Sequence, residues 1–181
     1  MLRLCAALLL AFSLSFLVAP VALAGPLAAL PGLSQVFAGS PPEALGPRAG
    51  QLAPCPDSPN CVVSRNDADT IHRIEPLRYG GDRATARATL QQVIEAIPRA
   101  TITQATDDYI RVEFASRLMG FVDDSEFYFS PTEPQIEIRS AARLGESDLG
   151  VNRRRLEQIR LALEELSAEA AEVAAGHATQ G

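Results

Sequence analysis

Between residues 109 and 129 apolar and polar side chains alternate with a period of two, pause for a short turn, and alternate again. Ile110, Val112 and Phe114 fall on one side of an extended chain, with Tyr109, Arg111 and Glu113 on the other; Phe121, Phe127 and Phe129 share one side of the next run. That period belongs to half-buried strands and gives a helix no continuous apolar face. A four-residue turn over Arg117, Leu118, Met119 and Gly120 pairs Ser116 with Phe121 and Ile110 with Phe127, which keeps the apolar sets together, whereas a three-residue turn would mix the faces. The chain is thereby committed to an antiparallel hairpin whose apolar face needs a covering layer. The same register sets Arg111 opposite Glu126, an attractive pair, and Glu113 opposite Asp124, a repulsive one.

The flanking sequence supplies the cover. Asp82 reads as a helix N-cap, and Leu90, Val93, Ile94 and Ile97 recur at helical spacing before Pro98 stops the helix. Leu156, Ile159, Leu163 and Leu166 form the stripe of a second helix. Further strands are expected over residues 70–77, where Pro76 suits an edge, over 101–106, and over 136–140 after the Pro131/Pro134 turn. The expected fold is a two-layer α+β domain, an antiparallel sheet of about five strands with two helices covering one face.

Residues 1–24 read as a signal peptide: Arg3 precedes an apolar run, and Ala22-Leu23-Ala24 suits cleavage. An uncleaved anchor is the alternative, although Pro20 would break a spanning helix near its end. Cys5 lies inside this segment, so export leaves Cys55 and Cys61, an even pair in an oxidising compartment. A disulfide is the expectation. Closing so small a ring is worth about 2.4 kcal/mol by chain entropy. A redox or metal-binding pair is the alternative, but the spacing is not CxxC and no third Cys or adjacent His supports it. Residues 25–54 are interrupted by proline and glycine and read as a linker, with apolar residues at 27–30 and at Val36 and Phe37 available for docking. The folded domain is expected over residues 55–166, and 167–181 as an Ala/Glu-rich tail.

The basic residues are all Arg, and a net charge of -6 argues against a nucleic-acid partner held by broad electrostatics. No zinc-finger spacing, HExxH, Walker or dinucleotide fingerprint is present, so no cofactor and no metal is expected. Membrane contact is expected only through the signal or linker.

Several polar residues call for partners. Asp123 shares the helix-covered face with Phe121 and Phe127, and a buried carboxylate needs a cation or donor; Arg139, Arg143 and the arginines of the last helix are the candidates. Asp124, Glu126, Glu113 and Glu137 point to the other face, read as solvated, with a loose cation site as the alternative. Asn152-Arg153-Arg154-Arg155 opens the last helix where the macrodipole disfavours cations by about 0.3 to 1 kcal/mol each. Asp123, Glu146, Asp148 and Glu157 could answer them internally, or amides beside Gly150 and Asn152 could bind a phosphate or carboxylate. Ser116, Ser140 and Ser147 lack a catalytic base, since the histidines are His72 on an early strand and His177 in the tail.

Three stretches carry a resemblance. They are residues 55–62, CPDSPNCV; 120–127, GFVDDSEF; and 139–152, RSAARLGESDLGVN. In order and spacing the chain resembles DUF1499, a bacterial and plastid family without an established activity. The resemblance covers about residues 55–163; the family pattern usually has Ser where this chain has Ala142, and commonly an aromatic near Glu146. It implies that the Cys ring, Asp123, Asp124, Arg139, Ser140, Arg143, Ser147, Asp148 and Asn152 belong to a shared pattern, and that the protein resides in a periplasm or, in photosynthetic lineages, a thylakoid lumen.

The functional expectation is an exported, non-catalytic module binding a small ligand or a protein partner through a polar cluster of Asp123, Arg139, Ser140, Arg143, Ser147, Asp148, Asn152 and Arg153. The alternative is an enzyme acting on an anionic substrate, with Arg139, Arg143 and Arg153 as clamp and Asp123 as general acid or base. A third reading is an assembly role in which the apolar linker docks on a membrane or complex.

Overall fold

The structure, a computed structural model, describes residues 37–178. The signal with its anchor alternative, Cys5, and the linker residues up to Val36 lie outside the described residues. The elements in order are β1 (Cys61–Val63), β2 (Leu77–Arg78), α1 (Arg83–Glu95), β3 (Ala100–Ala105), β4 (Tyr109–Ala115), β5 (Val122–Phe129), β6 (Gln135–Ala142) and α2 (Val151–Ala178). All strand pairs are antiparallel in the order β1-β6-β5-β4-β3, and β2 pairs with another stretch of β6.

The α+β class and the two covering helices are as expected, with six strands in place of about five. Leu90, Val93 and Ile94 of α1 and Leu156, Ile159 and Leu163 of α2 pack on Ile110, Val112, Phe127, Phe129, Ile136 and Ile138 of the sheet. Each such side chain, fully buried, contributes roughly 1.5–3 kcal/mol. Leu166, placed on the same stripe, remains partly exposed. Asp82 caps α1 by accepting from the Thr85 amide at 2.9 Å. The hairpin register is the expected one: Ile110 faces Phe127, Arg111 faces Glu126, and the Ser116 amide donates to the Phe121 carbonyl. Beyond Leu166 the chain continues as helix to Ala178. Among the described residues no helix is long and apolar enough to cross a membrane.

The strand expected over residues 70–77 is not formed, apart from its end in β2 and a single parallel bridge between Val63 and Arg73. The Asp69 carboxylate accepts the amides of Ile71 and His72, closing a side-chain turn that competes with a ladder. A strand absent from the sequence reading, β1, takes the β6 edge instead; at three residues it is too short to show a period.

Cys55 and Cys61 are joined, with their Cα atoms 5.7 Å apart. The ring fixes Asn60, whose side chain donates to the Gly145 carbonyl and whose own carbonyl accepts from the Ala142 amide and from Asn152 Nδ2. The short disulfide loop is thus a clasp between β1, the end of β6 and the start of α2. Beside it, the buried His72 ring meets Asp69 Oδ2 at 2.7 Å through Nδ1 and the Ser58 carbonyl at 3.2 Å through Nε2. Two acceptors favour the doubly protonated ring, and the Asp69 hydrogen bond raises the His72 pKa above its ordinary 6.5.

A raised folded-state pKa means that this contribution is complete below about pH 6.5 and is lost as pH rises through the folded value. Urea midpoints of the oxidised protein should therefore fall across and above neutral pH, and His72→Gln should flatten that fall. Parallel curves for the two proteins would show that the His72 ring is not the group responsible.

The outer face of the sheet is where structure and expectation part. Asp124 and Glu126, expected in solvent, are both fully buried. The irregular segment 37–54 crosses this face and reaches Glu126 directly. Gly46 donates its amide to Glu126 Oε1 at 2.7 Å, Leu52 packs with Tyr109 and Tyr128, and Phe37 lies 5.2 Å from the Phe121 ring. A side chain at Gly39 would meet Arg143 and Leu144 atoms at 3.0 Å, and its φ of +64° suits glycine, so the crossing over this corner depends on that residue.

Candidate functional site

The sheet carries two separate sets of polar groups. On the outer face, Asp124 receives Arg143 through Nε and a terminal nitrogen at 2.7 and 2.9 Å, and Arg111 at 2.7 Å. Both guanidinium groups also reach Glu113. The Glu113/Asp124 repulsion is therefore bridged by two cations, which the register alone does not reveal. Arg111 does not pair with Glu126, its strand-opposite residue. Glu126 instead binds Arg139 at 3.2 Å, the Tyr109 hydroxyl at 2.9 Å and the Gly46 amide. Burial, and then the Glu126 charge, push the Tyr109 pKa far up, so that hydroxyl stays a donor. Asp124 first, then Glu113, push the Arg143 pKa upward by hydrogen bonding. The expected carboxylate face is thus filled by ion pairs: the candidate cation ligands Asp124, Glu126 and Glu113 already hold arginines, while Glu137, half-buried, stands apart near Arg65.

The helix-covered face holds a polar track within the apolar core. Asp123 Oδ2 accepts from Arg155 of α2 at 2.8 Å. Arg155 also donates to Asn152 Oδ1 at 2.9 Å and lies 4.5 Å over the Phe114 ring. Asn152 Oδ1 accepts from the Ser140 hydroxyl, which is 2.6 Å from the Ser125 hydroxyl, and Asn152 Nδ2 donates to Asn60. Buried polar groups keep their place by mutual hydrogen bonding, and this chain of contacts ties β5, β6, α2 and the disulfide clasp together.

One end of the track opens into a cleft of about 520 Å³. Phe114, Phe121, Ala142 and Ile97 form its walls, Leu144, Leu149 and Val151 its rim, and Asp123 and Arg155 its polar floor. Asp123 is 8% exposed, and among the described residues its second oxygen, Oδ1, takes no hydrogen bond. Burial raises the Asp123 pKa above the ordinary carboxylate range, against the opposing pull of Arg155. A mostly apolar recess of this volume with a few convergent polar groups is the usual form of a small-molecule site. A second recess of about 400 Å³ at the β6 edge is lined by Arg65, Asp67, Glu75, Arg78 and Glu137, charges of both signs, and offers little apolar surface.

The residues expected to form one cluster are distributed as follows. Asp123, Ser140, Asp148 and Asn152 lie on the helix-covered side, with Ser147 lining the cleft. Arg139 and Arg143 belong to the outer face. Arg153 donates to the carbonyls of Arg73 and Ile71, away from the cleft. A clamp of Arg139, Arg143 and Arg153 around Asp123 is therefore not assembled, because strand alternation sends neighbouring side chains to opposite faces. Asp148 accepts the amides of Gly150 and Asn152 and so occupies the anion site considered there. Of the three helix arginines, Arg155 pairs with Asp123, while among the described residues Arg153 and Arg154 donate to carbonyl oxygens only. Ser116 lines the cleft but has no histidine there.

The sequence reading passed over Asn60, Tyr109 and Ser125 and left Arg155 unresolved among the helix arginines. Helical spacing offered a cue for Arg155, four residues before Ile159 and one before Leu156, which places it beside the apolar stripe.

Among curated proteins and among solved structures, none matches the chain. A family model described as protein of unknown function (DUF1499) matches residues 51–163, which take in the disulfide clasp, the whole sheet and the cleft. The chain belongs to the DUF1499 family.

Proposed function

We propose that this protein is an exported, non-catalytic module that holds a small, largely apolar ligand in the cleft above Asp123 and Arg155. The observation that carries the reading is Asp123 Oδ1, which takes no hydrogen bond among the described residues, at the polar floor of a mostly apolar recess. That oxygen faces the open cleft, where a ligand hydroxyl, amide or amine would donate to it in place of water while the ligand body covers the apolar walls. The disulfide clasp suits an oxidising compartment, a periplasm or a thylakoid lumen.

The test is a titration of the exported protein with the apolar fluorophore N-phenylnaphthylamine. Ala142 lines the cleft, so Ala142→Phe obstructs part of it and should weaken binding by about tenfold or more, the equivalent of about 1.4 kcal/mol. Equal affinity in the two proteins, both folded by circular dichroism, would place the probe elsewhere and remove the reading.

A further inference from the structure

Of the eight exposed large apolar side chains among the described residues, three line this cleft and two more stand on the turn between its lining residues Ser116 and Phe121. Leu118 and Met119 occupy the turn between β4 and β5, and Leu144, Leu149 and Val151 the connection from β6 into α2. Leu149 is the most prominent, at 84% exposure, with Leu118 at 64%. Its backbone adopts φ +54°, a left-handed conformation that disfavours a side chain, immediately before Gly150 at +75°.

That turn is fastened rather than loose. Ser147 Oγ accepts the Leu149 amide, Asp148 accepts those of Gly150 and Asn152, and Arg154 donates to the Leu149 carbonyl at 2.8 Å. A leucine held outward in a strained position, touching no core, contributes nothing evident to the fold. The charges around it are distinctive. Exposed Arg99, Arg117 and Arg154 stand at this end of a chain whose net charge is -6, against Glu146 and an Asp148 whose oxygens are occupied by backbone amides.

We propose that this end of the domain docks on an anionic lipid bilayer. Leu118, Met119 and Leu149 enter the interface, while the arginines meet lipid phosphates. Protruding apolar tips on two loops, with exposed arginines at the same end, match the mixed chemistry of a bilayer surface. The cleft opens between the same loops, so an apolar ligand could pass between membrane and cleft without crossing water. The inference goes beyond the ligand reading, since docking does not require an occupied cleft.

The chain contains no Trp, so Leu149→Trp introduces a single reporter. With vesicles of phosphatidylcholine and phosphatidylglycerol, its emission should shift to the blue and be quenched by brominated acyl chains. Leu161→Trp, on an exposed position farther along α2, should do neither. In flotation of the exported full chain, Leu118→Glu with Leu149→Glu should lower the vesicle-bound fraction by at least about tenfold. An unshifted Leu149→Trp spectrum, equal shifts at both positions, or undiminished flotation of the double variant would each overturn the proposal. The last result would assign membrane contact to the apolar linker residues 27–30 and Val36 instead. Loss of vesicle binding in Leu118→Glu with Met119→Glu, two residues outside the cleft lining, with N-phenylnaphthylamine binding intact would separate this site from the cleft.

Discussion

Asp124→Asn should cost about 3–5 kcal/mol of folding free energy, the range for breaking a buried ion pair by removing one partner. Asp124 is fully buried and receives two guanidinium groups, so neutralising it leaves Arg111 and Arg143 facing Glu113 alone. The loss has two parts, the missing attraction and two cations left in a weakly polar setting beneath segment 37–54. Glu113 is partly exposed, so Glu113→Gln should cost about 1 kcal/mol or less. Equilibrium urea unfolding of the oxidised proteins at neutral pH separates the cases. Equal, small losses for the two variants would mean that the outer face is far wetter than its packing indicates.

Asn152→Ala is the second large effect, expected at about 2–3 kcal/mol from one lost side chain and the hydrogen bonds it unites. The cost is moderated because Ser140 keeps Ser125, the Asn60 carbonyl keeps the Ala142 amide, and Arg155 keeps Asp123. Arg155 would nevertheless lose one of its two side-chain anchors at the floor of the cleft. Binding of N-phenylnaphthylamine should therefore weaken in Asn152→Ala even under conditions where the protein remains folded. An unfolding curve matching that of the unmodified protein would show that the polar track is dispensable.

The parts of this fold legible in the sequence are those governed by a period. The 109–129 alternation carried both the hairpin and its register, because a slip of one residue would expose Ile110, Val112 and Phe127 together. Asp82 and the Leu90/Val93/Ile94 stripe located α1 for the same kind of reason. The missing pieces lack a period. β1 has three residues, and residues 70–76 were diverted by the Asp69 side chain, a local competition that β-propensity does not contain.

The candidate site was partly legible. Asp123 stood out as a carboxylate on an apolar face, and its partner came from the last helix, as one of the alternatives required. Arg139 and Arg143 were grouped with it by proximity in sequence, but alternation along β6 puts Arg139 on the face opposite Ser140, and Arg143 joins that outer cluster. The decisive omission was segment 37–54. Its prolines and glycines exclude regular structure, yet irregular backbone can pack, and Leu52 and the Gly46 amide turn an expected wet face into a buried one. Phe37, available for docking in the sequence, does pack near Phe121, and Leu45 and Leu52 are the further apolar cues in this stretch.

The central claim is that the cleft over Asp123 holds a ligand. Native mass spectrometry of the chain exported from a bacterial host and purified gently, beside its Ala142→Phe variant, tests it most directly. The unmodified protein should carry the extra mass of a small organic molecule, released on unfolding and absent from the variant. A bare protein, or the same extra mass on both, would contradict it.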